Sequence, residues 1–280
     1  MGKFEGMLLV SDFDNTLLYT EKALKGQEAC PAMPERNVNR LRYWMEEGGR
    51  FAVATGRAMS AFRPYAAMVP SNAPAVVDNG GGIYDFRTDE YLVASFLPLG
   101  AREHIRAAAQ AFPGISLELY HADGLLQCLN PTDWNRQHAK MADMALTVIG
   151  DLEEGTVAEP ITKALFLAQK ETLEDICALA EAQGWRGEYE LIYSSDHLLE
   201  MTARGANKGE MVKHLAKELG CSTLICAGDH LNDIPMLEAA HRAFCPENAL
   251  EPVKARCERV VCHCLEGAVG ELIEILDREL

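Results

Sequence analysis

The chain has 280 residues, of which 48% are hydrophobic and 24% charged, and its formal net charge is −16 at pH 7. This length allows one large domain or two modest ones, and the acidic charge argues against a nucleic-acid or anionic-membrane surface. The sequence has neither the pattern of a signal peptide nor an apolar run of about 18 residues that would span a membrane, so we expect a cytoplasmic protein.

The first predicted element is a buried strand over residues 7–10, shortly before Asp12 and Asp14. An apolar run this short, bounded by polar residues, is typical of a core strand. Side chains two residues apart on an extended segment share a face, so both carboxylates would meet one ligand if that geometry continues past the strand. Two like charges that close are costly without a cation or a proton, which favours a working site. Asp after a strand also begins turns and caps helices, so the pair alone leaves both interpretations open.

Strands and helices alternate at both ends of the chain, which predicts a parallel sheet covered by helices. After a loop or short helix over residues 20–33, Pro34 begins a helix that runs to about Glu47 and ends at the glycine pair behind it. A second helix opens just after Lys208, and a final helix covers residues 269–276. The strands predicted for this sheet cover residues 7–10, 51–54, 75–77, 224–227, 243–244 and 259–261.

The alternation changes after the glycine run at residues 80–82, which we interpret as a domain boundary because glycine permits backbone angles that other residues avoid. The segment behind it predicts an α+β module inserted in the middle of the chain. We therefore expect a core domain of residues 1–82 and 197–280, and an inserted domain of residues 83–196. The strands predicted for the inserted region cover residues 91–97, 115–120, 125–129, 162–168 and 188–193, and a last strand at 197–201, just past its limit, completes the set. The helices predicted there include residues 105–112, 133–145 and 173–180.

Three strands of the predicted sheet end in polar clusters, and ligands bind outside the carboxyl ends of the strands in an open parallel sheet. Four carboxylates together demand a cation. An all-oxygen set selects a hard cation such as Mg²⁺, which takes part of its coordination shell from substrate phosphate. The clusters are Asp12 with Asp14, Thr55, and Asp229 with Asn232 and Asp233.

A phosphate ligand also accounts for the residues beside these clusters. Thr55 and the amides around Gly56 can donate hydrogen bonds, and Lys208 is a point charge for a phosphoryl oxygen. One carboxylate beside a bound phosphate can attack phosphorus, while a second protonates the leaving oxygen and then activates water. Asp12 and Asp14 fit these two roles.

Each motif has a plainer interpretation when it stands alone. Thr55 with Gly56 is also typical of a turn. Lys208 alone is typical of a solvated lysine ahead of a helix, and residues 229–233 of a helix N-cap. Arg57 is equally consistent with a substrate contact and with a structural salt bridge. The joint presence of the motifs, in this order, favours a site.

Three further features are interpreted as structural. His230 is treated as a bystander of the acidic cluster that surrounds it in sequence. Residues 130–138 are rich in hydrogen-bonding groups, and we interpret them as the surface start of a helix rather than as a substrate contact. The nine cysteines favour free thiols, and the last three lack the paired C-x-x-C spacing of a zinc site, so we interpret them as small hydrophobes near a late core strand. These three are Cys257, Cys262 and Cys264.

Four motifs, in order along the chain, resemble those of the haloacid dehalogenase superfamily, and specifically those of its Cof-type phosphatases. The resemblance covers nearly the whole chain and implies a Rossmann-like α/β parallel-sheet core with an α+β cap domain between the second and third motifs. The family most often has glycine at the position of Asn15. This departure makes the assignment to a subfamily less specific and leaves the implied chemistry unchanged. The motifs are Asp12-Phe13-Asp14-Asn15-Thr16-Leu17, Ala54-Thr55-Gly56-Arg57, Lys208-Gly209 and Gly228-Asp229-His230-Leu231-Asn232-Asp233.

The resemblance implies a Mg²⁺-dependent phosphatase that hydrolyses small phosphorylated metabolites, sugar phosphates or similar, through an aspartyl-phosphate intermediate. In that scheme Asp12 is the nucleophile, and Asp14 is the general acid/base with its backbone carbonyl on the metal. A phosphomutase of the same superfamily and a non-catalytic metabolite-binding protein stay open as alternatives, although an intact acid/base speaks against the second. The implied phosphate and substrate ligands are Thr55, Gly56, Arg57, Lys208 and Asn232, and the implied metal ligands are Asp12, Asp14, Asp229 and Asp233.

Overall fold

The computed structural model describes residues 2–24, 29–141 and 144–280. No helix within these ranges has the length and apolarity needed to span a membrane. In chain order the strands are β1 (Met7–Ser11), β2 (Arg50–Val53), β3 (Ala75–Val77), β4 (Gly82–Asp85), β5 (Glu90–Ala94), β6 (Ser116–His121), β7 (Leu126–Leu129), β8 (Leu146–Ile149), β9 (Ile161–Leu167), β10 (Tyr189–Ser195), β11 (Leu198–Ala203), β12 (Thr223–Ala227), β13 (Arg242–Pro246) and β14 (Arg259–Val261). The helices are α1 (Glu21–Leu24), α2 (Glu35–Glu46), α3 (Met59–Ala66), α4 (Ala101–Ala111), α5 (Asp133–Met141), α6 (Lys170–Ala182), α7 (Lys208–Glu218), α8 (Ile234–Ala239), α9 (Glu251–Lys254) and α10 (Ala268–Glu279).

The core domain is built on a five-stranded parallel sheet with the strand order β14-β13-β12-β1-β2. Side chains of the central strand β1 alternate between two buried faces, because successive residues of a strand point to opposite sides. Leu9 packs in the cluster that contains α2 and α10, whereas Leu8 and Val10 pack in the cluster that contains α7 and α8. The predicted parallel sheet covered by helices is confirmed, and it places β1 and β12, which both lead into acidic residues, side by side.

Strand β3 differs from the prediction, since it joins the parallel sheet through a single bridge between Ala54 and Val76. It otherwise pairs antiparallel with β4, which pairs antiparallel with β5. Of the glycine run, Gly80 and Gly81 therefore lie in the turn between β3 and β4, and Gly82 begins β4. Gly80 has φ +97°, and a Cβ atom there would lie 2.2 Å from the backbone carbon of Asn207. Glycine thus lets this turn touch the start of α7.

The second large sheet has six strands in the order β10-β11-β9-β6-β7-β8, and its neighbours are antiparallel except for the pair β7 and β8. One face is covered by α4 and α6, whose Ile105 and Leu173 share a buried cluster with Leu117 of β6. The opposite face turns toward the core, where Tyr120 packs in one cluster with Ala58. The predicted α+β cap is confirmed, and it covers the sheet end where the polar clusters lie.

Each predicted limit between the core and the cap separates residues that the sheets hold together. The limit between residues 82 and 83 cuts β4, and Ile83 is buried in the core cluster that contains α7. The limit between residues 196 and 197 separates β10 from its antiparallel partner β11, which also pairs with β9 of the cap. Because strand pairing holds these segments together, we propose that the chain crosses between core and cap at residues 95–100 and 204–207 instead.

Several local elements also differ from the predictions. The helix predicted over 133–145 ends at Met141, residues 142–143 of that prediction lie outside the described residues, and β8 begins directly after Ala145. In the predicted loop or short helix at 20–33, α1 is helical, while residues 25–28 are outside the described ranges. Strands β4 and β8 and helix α3 were not predicted, because four-residue strands and an eight-residue helix give little periodicity to detect.

Candidate active site

Asp12 and Lys208 form a buried ion pair at the carboxyl end of the core sheet. Asp12 follows β1, and its backbone N–H donates to the carbonyl of the last residue of β12 at 2.9 Å. Lys208 opens α7, whose N-cap Asn207 accepts a hydrogen bond from the Glu210 N–H at 3.0 Å. The Lys208 side chain has no exposed surface, and its Nζ lies 2.6 Å from Asp12 Oδ1 and 2.7 Å from Asp233 Oδ1. The interpretation of Lys208 as a solvated lysine is therefore wrong.

Asp12 and Asp233, the two carboxylates that contact this lysine, belong to a cluster of three. Asp12, Asp229 and Asp233 each offer an oxygen, and these oxygens lie within 4.8 Å of one another. Asp233 Oδ2 accepts hydrogen bonds from the backbone N–H groups of Asp229 at 2.9 Å and His230 at 3.1 Å. The Thr16 hydroxyl donates to Asp229 Oδ1 at 2.8 Å. The structure thus brings together the first, third and last of the sequence motifs.

The electrostatics of the cluster show an excess of negative charge. Burial raises the pKa of Asp12 well above its ordinary range, with Lys208 opposing this shift and Asp233 adding to it. Burial and the charge of Asp233 raise the pKa of Asp229 to about 8. Burial alone would lower the pKa of Lys208, but the charges of Asp12 and Asp233 raise it overall. The cluster has three carboxylates and one ammonium, and every ligand that it offers is an oxygen atom. Such a set fits a hard divalent cation such as Mg²⁺.

The carboxylate of Asp14 points to a different partner from that of Asp12. Arg57 donates to both Asp14 oxygens, from Nε at 2.8 Å and from Nη2 at 2.7 Å, and Thr20 Oγ1 donates to Oδ1 at 2.6 Å. The guanidinium carbon of Arg57 lies 4.6 Å from the ring centroid of Tyr65. Burial alone would raise the pKa of Asp14, but the charge and hydrogen bonds of Arg57 lower it overall. Of the two interpretations of Arg57, the structure contains the salt bridge.

The remaining predicted phosphate ligands lie around the same cavity. Thr55 is fully buried, and its Oγ1 accepts the backbone N–H of Arg57 at 3.1 Å, which leaves the hydroxyl proton free to donate elsewhere. Asn232 Nδ2 donates to Asn79 Oδ1 at 2.8 Å. Gly56 and Asn232 line the cavity, whereas Thr55 lies behind its wall. These positions bring all the predicted site residues to one end of the core sheet.

A cavity of about 430 Å³ lies between the core and the cap. Its core side contains most of the predicted site residues, with Thr55, Lys208 and Asp233 buried behind them. The predicted residues that line it are Asp12, Asp14, Gly56, Arg57, Asp229 and Asn232. The cap contributes polar or aromatic side chains at Tyr120, Trp134, His138, Lys163, Ser194 and Glu200.

Several of these cap residues were missed by the sequence interpretation. Helix α5 begins at Asp133 as predicted, but Trp134 and His138 line the cavity, so this segment is more than a surface helix start. Their separation of four residues, which places both on one helix face, was the available signal. Lys163 and Glu200 each stand inside an apolar strand. A charge in that setting is itself a signal, because Lys and Glu are almost never fully buried unless they are paired.

Comparison with known proteins places the chain among hydrolases. Residues 9–273 match a family described as haloacid dehalogenase-like hydrolase. The chain is 28% identical over 300 residues to phosphatase YwpJ of Bacillus subtilis, covering 96% of this chain and 99% of that protein. It is 26% identical over 285 residues to the pyridoxal phosphate phosphatase YbhA of Escherichia coli, covering 95% and 97% of the two chains.

Solved structures share the fold over nearly the whole chain. A haloacid dehalogenase-like hydrolase from Bacteroides thetaiotaomicron matches with a TM-score of 0.79 at 23% identity, covering 98% of this chain and 100% of that one. A sugar phosphatase of haloacid dehalogenase subclass IIB matches with a TM-score of 0.79 at 16% identity, covering 97% and 99%. At these identities the likeness concerns the architecture of core and cap.

Proposed function

The chain belongs to the haloacid dehalogenase-like hydrolase family, and on that premise we propose that it is a Mg²⁺-dependent phosphatase of small phosphorylated metabolites. The observation that carries the proposal is Lys208, held between Asp12 and Asp233 directly behind Asp12, which lines the cavity between the core and the cap. Attack on a phosphate ester brings negative groups together, so a fixed cation beside the attacking carboxylate lowers the barrier. The proposal places the enzyme in the cytoplasm, with no nucleic-acid or membrane partner.

We assign Asp12 as the nucleophile. One oxygen of its carboxylate forms a bond to phosphorus while the bond from phosphorus to the ester oxygen breaks, which leaves an aspartyl phosphate. Lys208 fixes the carboxylate through Oδ1, so the attacking group is oriented before the substrate arrives. Water then attacks phosphorus, the bond to Asp12 breaks, and inorganic phosphate leaves.

We assign Asp14 to the proton transfers. It gives a proton to the departing ester oxygen and later takes one from the attacking water. Both of its oxygens accept hydrogen bonds in the structure, so Arg57 must release one of them before Asp14 can carry a proton. A bound phosphate is a competing partner for the Arg57 guanidinium, which gives substrate a way to free the carboxylate.

The other predicted residues hold the phosphate and the metal. Lys208 and the donors near Gly56 can bind phosphoryl oxygens at the same sheet end. A bound Mg²⁺ would offset the charge of the carboxylate cluster and polarise the phosphoryl group. In this proposal the phosphoryl ligands are Thr55, Gly56, Lys208 and Asn232, and the metal ligands are Asp12, Asp229, Asp233 and the backbone carbonyl of Asp14.

Phosphate release from a panel of phosphorylated metabolites, with Mg²⁺ and with a chelator, tests the proposal. We expect release that depends on Mg²⁺, and a Mg²⁺-induced rise in Tm that shrinks in Asp229→Asn but not in the exposed cap control Asp175→Asn. An isomeric phosphate ester instead of free phosphate would indicate a phosphomutase. Stabilisation by ligand and Mg²⁺ without any phosphate release would indicate a binding protein, and either result overturns the proposal.

A further inference from the structure

Glu118 is a carboxylate buried inside the cap, away from the carboxylate cluster of the core sheet. It lies on β6, on the same face of the strand as Tyr120, and it is fully buried. The Tyr120 hydroxyl donates to Oε2 at 2.6 Å, and His138 Nδ1 lies 3.1 Å from the same oxygen. Asn135 Nδ2 donates to Oε1 at 2.9 Å. A buried charge is costly unless hydrogen bonds compensate it, so these three partners suit an ionised carboxylate.

His138 carries one end of this network to the cavity between core and cap. It lies on α5, its side chain is 26% exposed, and its ring stacks on that of Trp134 with centroids 4.5 Å apart. Of the two ring nitrogens, Nδ1 is the one that contacts Glu118. Within the described ranges only Nδ1 of this ring has a hydrogen-bond partner, which leaves Nε2 to a ligand in the cavity that His138 lines.

The contact with Glu118 decides which nitrogen of the His138 ring carries the proton. Burial alone would raise the pKa of Glu118, but hydrogen bonds from His138, Tyr120 and Asn135 lower it overall. An ionised carboxylate can only accept hydrogen bonds, so Nδ1 must be the donor. In the neutral imidazole with its proton on Nδ1, Nε2 has a free lone pair and accepts a hydrogen bond.

Helix α5 is tied to the cap sheet at the turn that carries His138. Asn135, three residues earlier, is fully buried. Its Oδ1 accepts hydrogen bonds from the hydroxyl groups of Ser116 and Thr132, both at 2.7 Å, while its Nδ2 donates to Glu118. The helix, the strand and the buried carboxylate therefore hold the His138 ring in one place on the cap.

The cap itself is tied to the loop of the proposed phosphate ligands through Lys163 of β9. The Lys163 side chain is 4% exposed, and its Nζ donates to the carbonyl of Gly56 at 3.2 Å. Nζ also lies 3.1 Å from Oε2 of Glu200 in the cap and 3.6 Å from Oδ1 of Asp78 in the core. In this arrangement the distance from the phosphate site to His138 Nε2 is set by the fold, and a substrate must match it.

We propose that His138 binds the leaving group of the substrate, with Nε2 accepting a hydrogen bond from a hydroxyl or ammonium group, and that Glu118 is the positioning residue that fixes this tautomer. This inference rests on the proposed phosphatase activity and adds a specificity contact to it. The feature recognised is one hydrogen-bond donor at a set distance from phosphorus, whatever skeleton carries it. The competing interpretation is that Glu118 only anchors α5.

Matched esters that differ only at the end remote from the phosphate test the contact. We expect kcat/KM for an ω-hydroxyalkyl phosphate to exceed that for the ω-methoxyalkyl phosphate of the same chain by about three- to tenfold, because a methoxy group cannot donate. The preference should be largest at one chain length between propyl and hexyl. The ω-aminoalkyl phosphates show whether an ammonium is the better donor. If no hydroxy or amino ester exceeds its methoxy partner at any length, the inference is wrong.

Two variants assign the preference to the pair. His138→Phe keeps a ring beside Trp134 without an acceptor, and it should bring the ratio of hydroxy to methoxy ester to about one. In Glu118→Gln the amide nitrogen must take the place of Oε2, because Asn135 Nδ2 can only donate to the other position. The amide then donates to Nδ1, which moves the ring proton to Nε2 and should also remove the preference.

Controls separate this role from a structural one. If Glu118 only anchors α5, Glu118→Gln lowers kcat/KM for the hydroxy and methoxy esters equally and leaves their ratio unchanged, which contradicts the inference. The variants His214→Phe and Glu174→Gln make the same chemical changes at exposed positions and should not alter the ratio.

NMR of the imidazole nitrogens gives a readout that needs neither substrate nor turnover. With the ring neutral, His138 should carry its proton on Nδ1 in the natural chain and on Nε2 in Glu118→Gln. A proton on Nε2 in the natural chain contradicts the inference.

Binding separates this inference from the proposed activity. In an Asp12→Asn background, calorimetry should give a Kd for the preferred hydroxy or amino ester about three- to tenfold below that of its methoxy partner, and adding His138→Phe should remove the difference. If His138→Phe does not fold, Glu118→Gln decides, and an unchanged preference there contradicts the inference. No phosphate release from any ester contradicts the proposed function instead, and the Kd comparison still tests the contact.

Discussion

Lys208 Nζ lies 2.6 Å from Asp12 Oδ1, and the lysine side chain has no exposed surface. The pair joins the first residue of α7 to the loop that follows β1, so it fixes a helix and a strand end to each other. The close approach of Gly80 to Asn207 holds the start of that helix from the other side. The position of the proposed nucleophile therefore depends on packing contacts as well as on charge.

Removing this lysine should destabilise the protein strongly. Lys208→Met leaves the buried carboxylates of Asp12 and Asp233 without their cation, and breaking a buried pair by removing one partner costs about 3–5 kcal/mol. Chemical denaturation without divalent metal should show that loss, and the double variant with Asp233→Asn should recover part of it. Lys213→Met, at an exposed position of the same helix, should change the free energy of unfolding by less than about 0.5 kcal/mol. Equal stabilities for the two single variants would contradict the burial of the pair.

Asp14→Asn should distinguish a role of Asp14 in proton transfer from a purely structural role as the partner of Arg57. We expect kcat to fall by about 10²–10⁴ with an alkyl phosphate, because the departing alcohol needs a proton. With p-nitrophenyl phosphate the fall in the first step should be smaller, since that leaving group departs without one. Asp175→Asn is the matched exposed control. A uniform loss for both leaving groups, accompanied by a lower Tm, would instead indicate that Asp14 serves only as the partner of Arg57.

A buried group of three charged side chains, Lys163, Glu200 and Asp78, gives the stability a pH dependence with a defined sign. Burial raises the pKa of Asp78 to about 6, with Lys163 opposing the shift and Glu200 adding to it, while Tyr91 and Tyr120 also face this group. The folded state therefore binds a proton at Asp78 more tightly than the unfolded state does. The stability that this group contributes is fully present below about pH 4 and is lost as the pH rises through 6.

Asp78→Asn removes that dependence. Its free energy of unfolding, relative to the natural chain, should therefore rise between pH 4 and pH 7, by at most about 3 kcal/mol. Asp85→Asn is a control that should leave this difference nearly constant from pH 4 to pH 7, because hydrogen bonds from Arg87 hold the pKa of Asp85 below its ordinary value and its contribution changes mainly below this range. A difference between Asp78→Asn and the natural chain that stays constant over this pH range would show that Asp78 is ionised normally in the fold.

The convergence of the motifs was predictable from the sequence because parallel strands deliver their carboxyl ends to one edge. Asp12 and Asp229 follow β1 and β12, which are neighbours in the sheet. Their proximity therefore follows from the strand order alone. The partner of Asp14 was not predictable in the same way. The chain turns at Asn15, whose φ is +58°, and the Asp14 carboxylate meets Arg57 rather than Lys208.

The residues on the cap side of the cavity could not be predicted, because no local sequence pattern encodes how the cap sheet lies over the core. Lys163, Glu200 and Asp78 come from three separate segments, and they meet only when the cap sheet lies over the core. Trp134 carried a helical spacing signal, but the spacing does not say which face of α5 looks into the cavity. The sequence was thus sufficient for the proposed chemistry and insufficient for the surface that chooses a substrate.

Trapping the phosphorylated enzyme tests the central claim most directly. Enzyme reacting with a radiolabelled phosphate ester is quenched in acid, digested and analysed by mass spectrometry. The account predicts an acid-stable, base-labile phosphoryl group on the peptide that contains Asp12, absent in Asp12→Asn, which should also release no phosphate. Label on another residue, or an Asp12→Asn protein that turns over as fast as the natural chain, would contradict it.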